Sequence, residues 1–168
     1  MALVFRLAAS IAGLRHAFAV ESARIAAAVP SAEVRHTGAS SIDTLLTLGD
    51  LDIQVRVTKD HFLPAAGALE QIYAPYRREM WTGGFAAYRF DGARLPVGVV
   101  LTAVGSVHDE RFVSAWRRLA AEPDLVDEYN ALKLLCAGGE LSAYEAEKAA
   151  FFTRLVDGKR RSTRLGCR

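Results

Sequence analysis

The sequence predicts an α+β fold, in which a small mixed sheet packs against helices and is followed by a helical C-terminal part. The stretch DLDIQVRV, residues 50–57, alternates polar and apolar side chains strictly, as a strand buried on one face does. Two more β-like stretches, 85–90 and 97–104, are separated by the turn sequence Asp91-Gly92 and resemble a hairpin. From His108 onward the spacing of apolar residues is helical.

The N-terminal segments are predicted from apolar spacing and from residues that begin or end helices. Apolar residues recur at helical spacing from about residue 14 to Val29, and a proline follows this amphipathic helix. The sequence AEVRHT, residues 32–37, predicts a short strand. Ser40 and Asp43 form an S-x-x-D capping box, which predicts a short helix over residues 41–47.

The later segments alternate between helical and β-like patterns. A helix is predicted over residues 59–73, and a further β-like stretch lies around 76–81. The C-terminal helical part is divided into three pieces by Pro123 and by Gly138-Gly139.

The composition indicates a soluble globular protein: 51% of the 168 residues are hydrophobic and 24% are charged. This length fits one domain, predicted over residues 1–157, with a basic, flexible tail at 158–168. No apolar run approaches the ~20 residues of a membrane-spanning helix, so we expect no membrane anchor. Cys136 and Cys167 lack the spacing of metal ligands, which favours a reducing compartment and hence the cytoplasm.

The sequence Gly38-x-Ser40-Ser41 lies shortly before Asp50-x-Asp52. Residues i and i+2 of a strand point to the same side, so the two aspartates can share one ion, and Mg²⁺ prefers one or two carboxylates completed by substrate phosphates. Gly38 permits close approach of a phosphate, and the turn that follows offers backbone N–H donors. We therefore predict a site for magnesium and a nucleotide phosphate, although either half alone is more typical of a solvated strand face or a capped turn.

Two Tyr-x-x-x-Lys sequences place lysines on or beside the apolar stripes of the last two helices. Lys133 lies beside the stripe of the penultimate helix, and Lys148 lies within that of the last helix. A lysine in such a position either extends its ammonium to water or binds an anion. In the second case both ammoniums would face the aspartates and hold a triphosphate.

These motifs together resemble the GrpB-like family (the UPF0157 type) of the nucleotidyltransferase superfamily. The resemblance is carried by HTGASSID and GDLDIQV in the first half and by EPDLVDEYNALK and YEAEKAAFF in the second, over roughly residues 14–156. It implies a minimal nucleotidyltransferase-like sheet with a helical C-terminal part. It also implies transfer of a nucleotidyl group from a magnesium–nucleoside triphosphate to an unknown acceptor, with Asp50 and Asp52 on the metal.

Two other functions remain open. Superfamily enzymes use a third carboxylate on a neighbouring strand, and LPVGVVLTAVG, residues 95–105, contains none, so the chain could bind nucleotide without turnover. The tail has five cations and no acid in its eleven residues, which would suit RNA or another partner, although nucleic-acid binding is not favoured.

Overall fold

Seven strands and five α-helices form in the part of the chain that the computed structural model describes, residues 2–91 and 95–158. The strands are β1 Arg6–Leu7, β2 Glu33–Thr37, β3 Leu46–Thr47, β4 Leu51–Val57, β5 Ala74–Pro75, β6 Phe85–Phe90 and β7 Val97–Ala103. The helices are α1 Leu14–Ala28, α2 Phe62–Glu70, α3 Val107–Ala121, α4 Pro123–Cys136 and α5 Leu141–Val156.

The main sheet has five strands in the order β2-β4-β7-β6-β5. Strands β4 and β7 are parallel, and the other pairs are antiparallel. A separate two-stranded sheet joins β1 to β3. The α+β class, the mixed sheet and the helical C-terminal part are therefore confirmed.

The two faces of the main sheet carry different layers of helix. Leu51, Ile53, Val55 and Val57 of β4 are buried in an apolar cluster that includes residues of α1 and α2. The alternate side chains of β4, beginning with Asp52, face α3 and α5 on the other side. The strict alternation of this strand thus separates the apolar core from the candidate site.

The predicted helix over residues 41–47 is wrong. A 3-10 turn, Ala39–Ser41, is followed by the short strand β3. Ser40 does not cap a helix, because its hydroxyl lies 3.0 Å from Nε2 of His36. The backbone of Leu46 is bound instead by side chains of α4 and by pairing with β1, so tertiary contacts replace the helical hydrogen bonds.

Two further segment predictions are corrected. The β-like stretch at 76–81 contains the 3-10 turn Arg78–Met80, and the strand precedes it at β5. The helix predicted over 59–73 is shorter, because a 3-10 turn, Lys59–His61, precedes α2 and the helix ends at Glu70. The predicted helix α1, strands β2 and β4, the β6–β7 hairpin and helices α3 to α5 are confirmed.

No helix within the described ranges is long and apolar enough to cross a membrane. The basic tail predicted at 158–168 lies outside the described residues except for Gly158, as do Cys167 and Gly92 of the predicted hairpin turn.

Candidate functional site

Asp52 lies between Gly38, which directly follows β2, and Gly98 of β7. It pairs with Thr37 of β2 on one side and with Gly98 of β7 on the other. Gly38 has a φ of +73°, and a Cβ atom built there would lie 2.0 Å from Oδ2 of Asp52. A Cβ atom on Gly98 would lie 3.1 Å from Oδ1. The Asp52 carboxylate therefore occupies space that any other residue at position 38 would fill.

A cavity of about 260 Å³ opens beside this carboxylate, between the sheet and helices α3 and α5. Gly38, Asp52 and Lys148 lie on its polar side. The remaining wall is mainly apolar, with Val100 from β7, Phe112, Ala115 and Trp116 from α3, and Phe152 and Val156 from α5. Concave, largely apolar sites with a few convergent polar groups are typical of small-molecule binding.

Asp50 and Asp52 repel one another. Burial and the neighbouring charge of Asp50 raise the pKa of Asp52 to about 7, although Lys148 and Lys133 oppose this shift. Asp50 precedes β4, and its Oδ1 lies 3.4 Å from the hydroxyl of Thr47. A bound cation would relieve the repulsion between the two carboxylates.

The two predicted lysines have different surroundings. Lys148 is exposed and lines the cavity beside Asp52. Lys133 is fully buried and donates a hydrogen bond to the carbonyl of Leu46. Its ammonium also lies 3.7 Å from the centroid of the Tyr129 ring. Burial and the charge of Lys148 lower the pKa of Lys133 to about 7, and both aspartates oppose this.

Ser40 and Ser41 lie on the other side of the Gly38 turn. They line a second cavity of about 460 Å³ rather than the one beside Asp52. The Ser41 hydroxyl donates to the carbonyl of Gly38, and Ser40 is paired with His36. The ring of His36 stacks on Phe18, and burial lowers its pKa. The structure therefore brings Gly38, Asp52 and Lys148 to one cavity and places Asp50 and Lys133 near enough for their charges to change the pKa of Asp52, but it directs both serine hydroxyls elsewhere.

The donor set fits a magnesium ion that phosphate oxygens complete. Throughout residues 2–91 and 95–158, no group of three His, Cys, Asp or Glu side chains is arranged to hold a metal. Two carboxylates, Asp50 and Asp52, are what a magnesium site usually takes from the protein when it also binds substrate phosphates. The residues at the positions of β7 that face the cavity are Gly98 and Val100, so β7 contributes no third carboxylate there.

The sequence predictions missed the wall of the cavity and the contacts behind Asp50. Trp116 and Arg111 of α3 line the cavity, and Asn130 of α4 binds the segment before Asp50. A tryptophan with partial exposure on an amphipathic helix is a weak signal, because most such residues only pack in a core. No sequence pattern indicates the role of Asn130, because its hydrogen-bond partners are backbone groups distant in sequence.

The sheet, with its partly open polar face beneath a helical layer, defines an α+β protein with a candidate binding cleft between the layers. The chain belongs to the GrpB family: the family described as GrpB protein matches residues 6–157. A UPF0157 protein of Vibrio cholerae serotype O1 is 31% identical over 132 residues, which are 79% of this chain and 70% of that protein. The predicted family is thus confirmed.

A solved structure has the same fold. The crystal structure of the conserved protein GrpB from Enterococcus faecalis matches with a TM-score of 0.66 at 17% sequence identity, covering 88% of this chain and 92% of that one. A structure of Cid1 in complex with its short product ApU matches with a TM-score of 0.47 at 14% identity, over 71% of this chain and 38% of that one. The fold comparison rests on the Enterococcus structure alone.

Proposed function

We propose that the protein binds a magnesium–nucleoside triphosphate in the cavity between the sheet and helices α3 and α5, and transfers the nucleotidyl group to a second substrate. The observation that carries the proposal is the position of the Asp52 carboxylate, which is enclosed by Gly38 and Gly98 and shares one cavity wall with Lys148. A carboxylate pair for a cation and a lysine for an anion match the charges of a metal-bound triphosphate.

In this proposal, different polar residues bind the metal and the phosphates. Asp50 and Asp52 would hold the metal, and Lys148 and Arg111, which line the cavity, would bind phosphate oxygens as cations. When bound, magnesium offsets the charge that builds on the leaving pyrophosphate. Gly38 admits the phosphates close to the backbone of the turn, whereas the serine hydroxyls beyond it are engaged within the protein.

The apolar wall suits the nucleoside. The rings of Trp116 and Phe152 lie 5.2 Å apart at their centroids, and Phe112 lines the same wall. A nucleobase gains stacking energy on such rings without a requirement for a particular sequence of donors and acceptors. A volume of about 260 Å³ accommodates the nucleoside and leaves the phosphates at the carboxylate side.

The reaction requires little covalent chemistry from the protein. The acceptor oxygen bonds to the α-phosphorus as the bond to pyrophosphate breaks, and the proton of the acceptor passes to water. Rate enhancement then comes from alignment of the two substrates and from electrostatic stabilisation by fixed charges. A cytoplasmic location would suit this chemistry, because nucleotides and magnesium are available there.

Nucleotide binding without turnover is the second candidate. The cavity side of β7 favours this candidate. A carboxylate at position 98 or 100 would reach the cavity, but the residues there are glycine and valine. Two-metal transfer needs more acidic ligands than Asp50 and Asp52 provide.

Calorimetric titration of ATP, GTP, CTP and UTP, each with and without Mg²⁺, tests the proposal. We expect magnesium-dependent binding by the wild type that is lost in Asp52→Asn and retained in Asp43→Asn. Asp43 is the matched control because it is an exposed aspartate outside the cavity. Release of pyrophosphate on addition of candidate acceptors then separates the transferase from the nucleotide-binding protein.

Absence of heat with every nucleotide would contradict both candidates. Binding of RNA or of another partner would then be the next candidate function. RNA binding through the basic tail predicts steep weakening with salt and no effect of Asp52→Asn.

A further inference from the structure

Two side chains of α4 bind the backbone of the segment that leads to Asp50. The Asn130 amide donates to the carbonyl of Thr44 over 2.9 Å and accepts from the amide of Leu46 over 2.8 Å. The Lys133 ammonium donates to the carbonyl of Leu46. Asn130 and Lys133 are three residues apart on a helix, so they lie on the same face and bind the segment together.

The contacts that hold Leu46 continue through Thr47 to Asp50. Thr47 is buried, and its hydroxyl accepts from the amide of Gly49 over 3.2 Å and lies 3.4 Å from Oδ1 of Asp50. Leu46 and Thr47 also pair with β1 on the other side. The backbone before Asp50 is therefore held by α4, by β1 and by its own side-chain contacts.

Lys133 is unsuited to bind phosphate directly. It is fully buried, and its ammonium is already in contact with the Leu46 carbonyl and the Tyr129 ring. Lys148, in contrast, is exposed and lines the cavity. The two lysines that looked equivalent in the sequence thus have separate tasks.

We propose that Asn130 and Lys133 are positioning residues, which hold Asp50 in place for a divalent cation by fixing residues 44–46. The inference rests on the proposed function, since it assumes that Asp50 and Asp52 bind a metal. It adds that the metal site depends on a helix that contributes no metal ligand. Replacement of residues that orient a metal ligand commonly changes the metal affinity 10- to 100-fold.

The test measures the binding of Mn²⁺ in the absence of nucleotide. The EPR signal of free Mn²⁺ reports how much of the ion remains unbound. We expect the Kd for Mn²⁺ to rise about 10-fold or more in Asn130→Ala and in Lys133→Met. Glu128→Gln is the matched control, because Glu128 is on the same helix and its partner is Arg154 of α5, 3.3 Å away, rather than residues 44–46. The Kd of this control should stay within about twofold of the wild type.

The Lys133→Met variant separates positioning from charge. Removal of a buried cation near the two aspartates strengthens the binding of another cation if charge alone matters. If Lys133 instead holds Asp50 in place through residues 44–46, its replacement weakens the binding of Mn²⁺. Tighter Mn²⁺ binding in Lys133→Met, or unchanged binding in Asn130→Ala, would therefore overturn the proposal, as would an equal loss in Glu128→Gln.

Two further results complete the test. If Asn130→Ala fails to fold, Asn130→Ser adds no charge and should still weaken Mn²⁺ binding, because a serine side chain is too short to bind both Thr44 and Leu46. If the wild type binds no Mn²⁺, Asp50 and Asp52 do not form a site for the free ion and the positioning role fails, whereas the calorimetric titration with nucleotides tests the proposed function separately. A wild type that binds Mn²⁺ with variants of equal affinity refutes the positioning role alone.

Discussion

At the scale of single residues, the position of the Asp52 carboxylate depends on glycine at the neighbouring positions 38 and 98. Gly38, just after β2, and Gly98 of β7 flank it, and a Cβ atom at position 38 would overlap its Oδ2 atom. Gly38 also has a left-handed backbone, which costs other residues roughly 1–3 kcal/mol. Position 38 thus needs glycine for two separable reasons, conformation and space.

Replacement of Gly38 by alanine should abolish magnesium-dependent nucleotide binding, because the new methyl group displaces Asp52. Gly13→Ala is the matched control: Gly13 has a φ of +82°, but a Cβ atom there meets nothing within 4 Å. Both variants should lose stability, whereas only Gly38→Ala should lose binding. Thermal unfolding and calorimetry check this, and retained binding in Gly38→Ala would show that Asp52 does not contact the ligand.

Asp52 should make the protein less stable as the pH rises. Its pKa is raised from the ordinary 3.8 to about 7, so the folded state favours the protonated carboxyl. The associated stability is present below about pH 4 and is lost as the pH rises through 7. We expect Asp52→Asn to be more stable than the wild type at pH 8, by up to about 4 kcal/mol, with a smaller difference at pH 4.5.

Urea denaturation at several pH values measures this difference. Asp43→Asn replaces an exposed aspartate and is the matched control, and its effect on the free energy of unfolding should be small. A wild type that equals or exceeds Asp52→Asn in stability at pH 8 would contradict the raised pKa.

The carboxylates could be predicted from the sequence, but the assignment of the lysines could not. Asp50 and Asp52 stand out because polar residues two apart on a strand share a face. Lys133 and Lys148 lie in equivalent Tyr-x-x-x-Lys sequences, and only the packing of α4 against residues 44–46 distinguishes them. Trp116 was missed because the sequence does not reveal which aromatic residues line a cavity.

At the scale of elements, one buried carboxylate attaches α3 to the sheet. Asp109 accepts hydrogen bonds from Arg56 at 2.7 and 2.8 Å, from Gln54 at 3.1 Å, from Thr102 at 3.0 Å and from the amide of Gly105 at 3.1 Å. Burial alone would raise the pKa of Asp109, but these donors lower it below the ordinary value. The helix that carries the cavity wall is thus fixed at its first turn.

Asp109→Ala should destabilise the protein by about 3–5 kcal/mol, because it leaves the largely buried guanidinium of Arg56 with fewer partners. The lowered pKa means that the stabilisation is present above pH 4 and is lost as the pH falls through the folded-state pKa. Acid denaturation of the variant should therefore be less steep than that of the wild type.

Glu110→Ala serves as the control for Asp109→Ala in chemical denaturation. Glu110 is the next residue of the same helical turn and is exposed, so its removal should cost less than about 0.5 kcal/mol. Equal losses in the two variants would mean that the network around Asp109 contributes little.

The elements themselves were predictable where local pattern and tertiary contacts agree. The strand β4 and helices α3 to α5 have strong periodicity, and the structure contains them. The segment 41–47 has the capping residues of a helix, but its backbone partners lie in β1 and α4. Local sequence does not encode those distant partners, so the helix was predicted in error.

At the scale of the whole molecule, one apolar cluster lies on the main sheet and another lies among the C-terminal helices. One cluster lies with α1 and α2 on the apolar face, and Trp81 packs against it. The other lies among α3, α4 and α5, and Trp116 packs against it. The network around Asp109 connects the sheet to the second layer, so the two clusters should unfold together.

The two tryptophans test this cooperativity. In Trp81→Phe the fluorescence reports on the second cluster, and in Trp116→Phe it reports on the first. Within each variant, we expect fluorescence and far-UV circular dichroism to give the same urea midpoint, as a two-state transition requires. A fluorescence midpoint that differs from the circular dichroism midpoint in either variant would show that the two layers unfold separately.

The neighbouring strand β7 determines where a missing acid could be installed. Gly98 is a crowded position for one, because a Cβ atom there would lie 3.1 Å from Oδ1 of Asp52, which is closer than an ordinary van der Waals contact. Val100 is the next residue on the same face and lines the same cavity. A designer who wished to convert a binding scaffold of this kind into a more active catalyst would therefore begin with Val100→Asp, a single substitution that leaves the glycine gap around Asp52 intact.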